Sequence, residues 1–195
     1  MTRVLLAFDK FKDALTARAA GDAVAAVIRE WRPDWTLDLA PLADGGEGFA
    51  SILTQAARGR EVTREVTGPR GGRTTASFGL VPLAAIPRRA RDQLQLPGDF
   101  APDAAVAVIE MAAASGLALL PSDQRNPWQT TTLGTGELMR AAVEAGAVAI
   151  LLGVGGSATN DLGLGALAAL GCASWMHAAM RCILRCPLPG PASPP

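Results

Sequence analysis

The chain has 195 residues, with 18 basic and 18 acidic side chains and a formal net charge of zero. That length suits one domain with a sizeable core, or one domain and part of another. The balanced charge excludes the basic footprint of a nucleic-acid binder. No apolar run approaches the ~20 residues of a transmembrane helix, and the N-terminus lacks the apolar length and cleavage site of a signal peptide. A cytoplasmic protein with no membrane partner is therefore expected. All three cysteines, Cys172, Cys182 and Cys186, and the single histidine, His177, fall in the C-terminal tail. The body of the chain thus has neither a Cys–His nucleophile nor a zinc set, and the tail spacing matches no metal motif.

In chain order, Val4 to Phe8 is a continuous apolar run that predicts a buried parallel strand. Ala14 to Trp31 has helical spacing, with Thr16 as N-cap and Pro33 beyond its end. Thr36 to Ala40 alternates as a second strand. Pro41 to Gly48 is a loop, and Phe49 to Ala57 a helix. Glu61 to Thr67 and Thr74 to Val81 flank the turn Gly68 to Gly72 and predict a β-hairpin. With the basic, proline-punctuated Pro82 to Pro102, it forms an expected hairpin and loop insertion over residues 62–102. Ala105 to Glu110 predicts another buried strand. Thr135 to Ala145 predicts a helix with Thr135 as N-cap and Gly146 just past its end. Ala147 to Leu152 predicts a further buried strand, and Leu162 to Leu170 a small-residue helix. This alternation implies an α/β fold, a doubly wound, mostly parallel sheet with an inserted β-hairpin region. Ligands in such folds gather beyond the carboxyl ends of the strands.

Three strand ends carry polar clusters. After the first strand come Asp9, Lys10, Lys12 and Asp13. After the second come Asp44, Gly45, Gly46 and Glu47. After the last come Gly155, Gly156, Ser157, Thr159, Asn160 and Asp161. Glycines between a strand and a helix let backbone N–H groups converge on an anion. Ser157, Thr159 and Asn160 add donors, and Asp161 can hold a metal ion. Phosphoryl transfer needs cations, a carboxylate for magnesium and a group that orients the attacking hydroxyl. Asp9 or Asp44 can serve as base or metal ligand, and Lys10 or Lys12 can neutralise an anion. The plain alternatives are a solvated charge run at Lys10 to Asp13, a simple Asp-Gly turn at Asp44, and a tight connection at Gly155. Glu110, ending an apolar strand, is either a further site carboxylate or a surface residue paired with an arginine. The Walker pattern, the dinucleotide fingerprint and the nucleophile elbow are all absent.

The sequence resembles the bacterial ATP-dependent glycerate kinase family. The resemblance rests on Asp9-Lys10-Phe11-Lys12 with Leu15-Thr16-Ala17, Pro41 to Gly48, Thr67-Gly68-Pro69 and Phe78-Gly79-Leu80. It continues through Val108 to Leu117, Arg125-Asn126-Pro127 with Thr130-Thr131-Thr132, Gly134 to Leu138, and Gly153 to Asp161. It implies a two-domain α/β kinase that transfers the γ-phosphoryl group of ATP, with Mg2+, to a hydroxyl of D-glycerate. Residues 1–171 would form the N-terminal part of that fold. Two departures stand out. Leu162 follows Asn160-Asp161 where the family usually has a small residue, often glycine. After Gly171 the pattern stops, and residues 172–195 form a divergent, proline-rich tail expected to be disordered. A catalytically inactive, truncated or frameshifted fragment is therefore the alternative reading.

Overall fold

The computed structural model describes residues 1–172 apart from 13, 97–100 and 102. Asp13, His177, Cys182, Cys186, the end of the expected insertion and the tail beyond Cys172 lie outside the described residues.

The strands form two sheets. In the first, β1 (Arg3–Leu6) and β2 (Thr36–Leu39) pair in parallel. Helix α1 (Ala17–Trp31) connects them and packs against both. Thr16 caps α1 as expected, its Oγ1 accepting the Ala19 N–H at 3.1 Å. The expected burial of β1 is not found. Leu6 is buried, but Leu5 is 63% exposed, because among the described residues only α1 covers this sheet.

The second sheet has the order β3-β4-β5-β6. Strands β3 (Arg60–Thr67) and β4 (Arg73–Pro82) form the expected hairpin. Strand β4 pairs antiparallel with β5 (Ala105–Glu110), so the hairpin supplies two of the four strands of this sheet. Strand β6 (Ala147–Gly153) runs parallel to β5. As an edge strand it is only partly buried, not the fully buried strand its apolar run predicts.

Helices cover both faces of this sheet. Ala107 and Ile109 of β5 pack with Phe78, Leu80 and Leu138, the last from α5 (Leu133–Glu144). Val108 packs on the opposite face with Ala50 and Phe49 of α2 (Phe49–Ala56). A central strand with both faces buried must be apolar throughout, which explains the unbroken run in β5. The region after β4 holds a short helix, α3 (Arg88–Gln93). A single turn, α4 (Ala112–Ser115), follows β5, and α6 (Leu164–Ala169) packs on α5. No described helix is long and apolar enough to cross a membrane.

Candidate active site

The loop after β1, the loop between β2 and α2, and the glycine-rich loop after β6 meet although their strands belong to different sheets. They border a cleft of about 880 Å³. Of the residues picked out from sequence, Lys10, Lys12, Asp44, Glu47 and Gly156 line it. Asp9, Gly45, Gly46 and Gly155 sit beside these residues in the chain and do not line it themselves, and Asp9 is exposed. The Asp9 Oδ1 accepts the Lys10 backbone N–H at 2.7 Å, which shapes the turn that presents Lys10.

The chemical centre of the cleft is Lys10 with Asp44. Lys10 Nζ donates to Asp44 Oδ1 at 3.0 Å, and the Gly46 N–H donates to the same oxygen at 3.0 Å. The hydrogen bond from Lys10, then that from Gly46, holds the Asp44 carboxyl below the usual carboxylate range. The same bond to Asp44 raises the Lys10 ammonium above its ordinary value. Both groups are therefore ionised at neutral pH. Asp44 so held is a weak proton acceptor and a good hard-oxygen ligand.

The glycine-rich loop also holds the protein together. Three of its N–H groups are used by the protein. Gly155 donates to Gly45 O at 2.9 Å, Ala158 to Ser115 O at 2.9 Å, and Asn160 to Pro127 O at 3.2 Å. Thr159 Oγ1 donates to Thr130 O at 3.0 Å, and Ser157 bridges Gly116. Ser157, Thr159 and Asn160 do not line the cleft. The loop is a clasp that binds the two sheets together. Glycine is required at 155 because a Cβ would stand 2.8 Å from the Gly46 backbone.

Asp161 is held by a set of hydrogen bonds within the protein. Its Oδ2 accepts the Thr132 N–H at 2.8 Å, Thr132 Oγ1 at 2.9 Å, Gly165 N–H at 3.2 Å and Thr131 Oγ1 at 3.4 Å. Its Oδ1 accepts the Gly163 N–H at 3.1 Å. A carboxylate so bonded joins the starts of α5 and α6. Among the described residues no three His, Cys, Asp or Glu side chains converge as a metal site. Magnesium bound with a nucleotide needs only one or two carboxylates besides phosphate oxygens and water. Asp44 lines the cleft and fits that requirement.

Two further residues matter: Arg125, which the sequence did not single out for the site, and Glu110, for which it left two roles open. Arg125 lines the cleft, with its Nε anchored on Leu120 O at 3.1 Å. Its only sequence signal was membership of the Arg-Asn-Pro stretch. Glu110 is neither exposed nor paired with an arginine. Its Oε2 accepts the Ala50 N–H at 3.0 Å, and burial pushes its carboxyl above the ordinary value.

A family model described as the glycerate kinase family matches residues 4–181. The chain belongs to the glycerate kinase family. The match runs ten residues past Gly171, where the sequence pattern was read as stopping. The chain is 43% identical to a glycerate kinase of Bacillus subtilis (strain 168) over 169 residues, 87% of this chain and 39% of that relative. It is 40% identical to a glycerate 2-kinase of Escherichia coli (strain K12), again over 87% of this chain and 39% of the relative. A crystal structure of a glycerate kinase 2 from Salmonella typhimurium LT2 superposes with a TM-score of 0.65 at 43% identity, covering 88% of this chain and 41% of that one. The chain thus spans about two fifths of the length of the glycerate kinases it matches.

Proposed function

We propose that this chain carries the substrate cleft of a glycerate kinase, which transfers a phosphoryl group from ATP to a hydroxyl of D-glycerate. One observation carries the reading. An ionised Lys10–Asp44 pair sits at the meeting point of three loops, in a cleft that also holds Lys12 and Arg125. Two small anions, glycerate and a nucleotide phosphate, require such a concentration of cations. In the transfer, the glycerate hydroxyl oxygen bonds to the γ-phosphorus as the bridging bond to ADP breaks. Its proton passes to a carboxylate. Asp9 is the proposed acceptor, because Asp44 is held as a weakly basic carboxylate by Lys10. Asp44 would hold Mg2+, whose charge, when bound, offsets that of the nucleotide phosphates. Lys10, Lys12 and Arg125 neutralise the substrates, Glu47 orients a substrate hydroxyl, and Gly156 forms the opposite wall. Asp161 acts through structure, by fixing the loop. A cytoplasmic location goes with the use of ATP.

The test is ADP release by the purified chain with D-glycerate and Mg·ATP. Replacing the ammonium in Lys10→Met is expected to lower kcat/KM by about 10²–10³, the range seen when one preorganised charge donor is lost. A Lys10→Met enzyme that turns over like the unmodified chain would overturn the assignment. The second reading, an inactive fragment, is favoured by the open β1–β2 sheet with Leu5 exposed on it. Folded protein with no turnover would support that reading.

A further inference from the structure

Helix α2 begins at a residue that cannot cap it. Gly48, at its N-cap, has φ +89 and no side chain to bond the first free N–H groups. Those groups need a partner, and the helix start favours negative charge. The partner comes from 60 residues away. Glu110, at the end of the central strand β5, accepts the Ala50 N–H at 3.0 Å.

The location gives this cap a consequence. Glu110 lies in register with Gly153, and Met111 N–H bonds Gly153 O at 2.8 Å. The Gly153 backbone in turn packs against Gly45 and the Phe49 ring, where a Cβ would stand 2.5 Å from Gly45 O. Strand β5, the clasp loop and the start of α2 thus meet at one carboxylate. The turn it secures carries Glu47 and Gly48 into the cleft, three and four residues after Asp44 in the chain. Glu110 itself does not line the cleft.

We propose that Glu110 is the positioning residue of the cleft, capping α2 in trans and thereby fixing the loop that presents Asp44 and Glu47. Its charge neighbours are Glu47 and Lys10. The fixing of the loop follows from the geometry, whereas its effect on catalysis rests on the glycerate kinase reading.

The experiment compares Glu110→Gln, which keeps an accepting oxygen, with Glu110→Ala, which does not. Amide exchange at residues 48–52 and ADP release with D-glycerate are both measured in the full chain. In Glu110→Ala, exchange at Ala50 should quicken by about fivefold to tenfold, the size of a lost cap. Exchange in the α5 amides should stay unchanged, and kcat should fall more than KM rises. Glu110→Gln should restore the Ala50 protection and most of kcat. Unchanged Ala50 exchange in Glu110→Ala overturns the proposal, and so does an equal loss in both variants. If Glu110→Ala does not fold, Glu110→Met, which fills a similar volume without an accepting oxygen, takes its place and is read at Ala50 in the same way. Should the unmodified chain show no turnover, the glycerate kinase reading fails for this chain, while the exchange comparison still decides the cap.

Discussion

Leu162 has φ +55 and is 70% exposed, a left-handed conformation that L side chains adopt at a cost of about 1–2 kcal/mol. The sequence already marked the position, since a small residue, often glycine, was expected after Asn160-Asp161. The structure supplies the reason, which is backbone strain and not crowding by neighbours. Glycine relieves the strain but gains freedom in the unfolded chain, which offsets part of the benefit. Leu162→Gly should therefore stabilise the protein by about 0.5–1 kcal/mol, read as a higher urea midpoint with an unchanged slope. The two aspartates in glycine-rich loops show where residue-scale reading fails. Asp44 and Asp161 carry the same local signal. One keeps a single oxygen bonded to Lys10 and Gly46 at the cleft, and the other has both oxygens occupied by helix starts. Nothing within five residues of either could have told them apart.

At the scale of elements, α5 is the instructive case. The segment Leu133-Gly134-Thr135-Gly136 reads locally as a breaker, so the helix was expected to start at Thr135. It starts at Leu133 instead, and Thr135 is buried with its Oγ1 bonded to Ser115 Oγ at 2.9 Å. The glycines serve close packing. A Cβ on Gly136 would lie 2.5 Å from Ala166 O, and one on Gly134 would collide with Thr67 O. Glu137 secures the same contact from the next turn, accepting the Thr67 N–H at 2.6 Å. Gly136→Ala is expected to destabilise the fold by about 1–3 kcal/mol through overpacking against α6, despite alanine's better helix propensity. Thermal unfolding by circular dichroism checks it, and a gain in stability would show that propensity outweighs packing here. The outer strand β3 carries Arg60, Glu61, Arg64 and Glu65. These charges protect an open sheet edge from pairing with other chains.

For the molecule as a whole, the Lys10–Asp44 pair makes a pH signature. The Asp44 carboxyl is lowered on folding, so its contribution is present above about pH 4 and is lost as pH falls through the folded value. The Lys10 ammonium is raised, so its contribution is present below about pH 10 and is lost as pH rises through the folded value. Between those limits the pair acts at full strength. Asp44→Asn should lower Tm across this plateau and converge with the unmodified protein at acid extremes, as measured by Tm against pH. Glu110 has the opposite sign. Burial raises its carboxyl, so its contribution to stability declines as pH climbs from the ordinary carboxylate value to the folded one.

The sequence alone determined the α/β class, the hairpin, the α1 cap and the family, because each rests on local periodicity, capping chemistry or motif order. Tertiary structure decided which loops meet. The clasp of Gly155 on Gly45, the trans cap of Glu110 on α2, and the sorting of Asp44 from Asp161 all depend on contacts between residues far apart in the chain. Local pattern carries no record of such contacts, since hydrogen-bond partners are chosen only when the sheets pack.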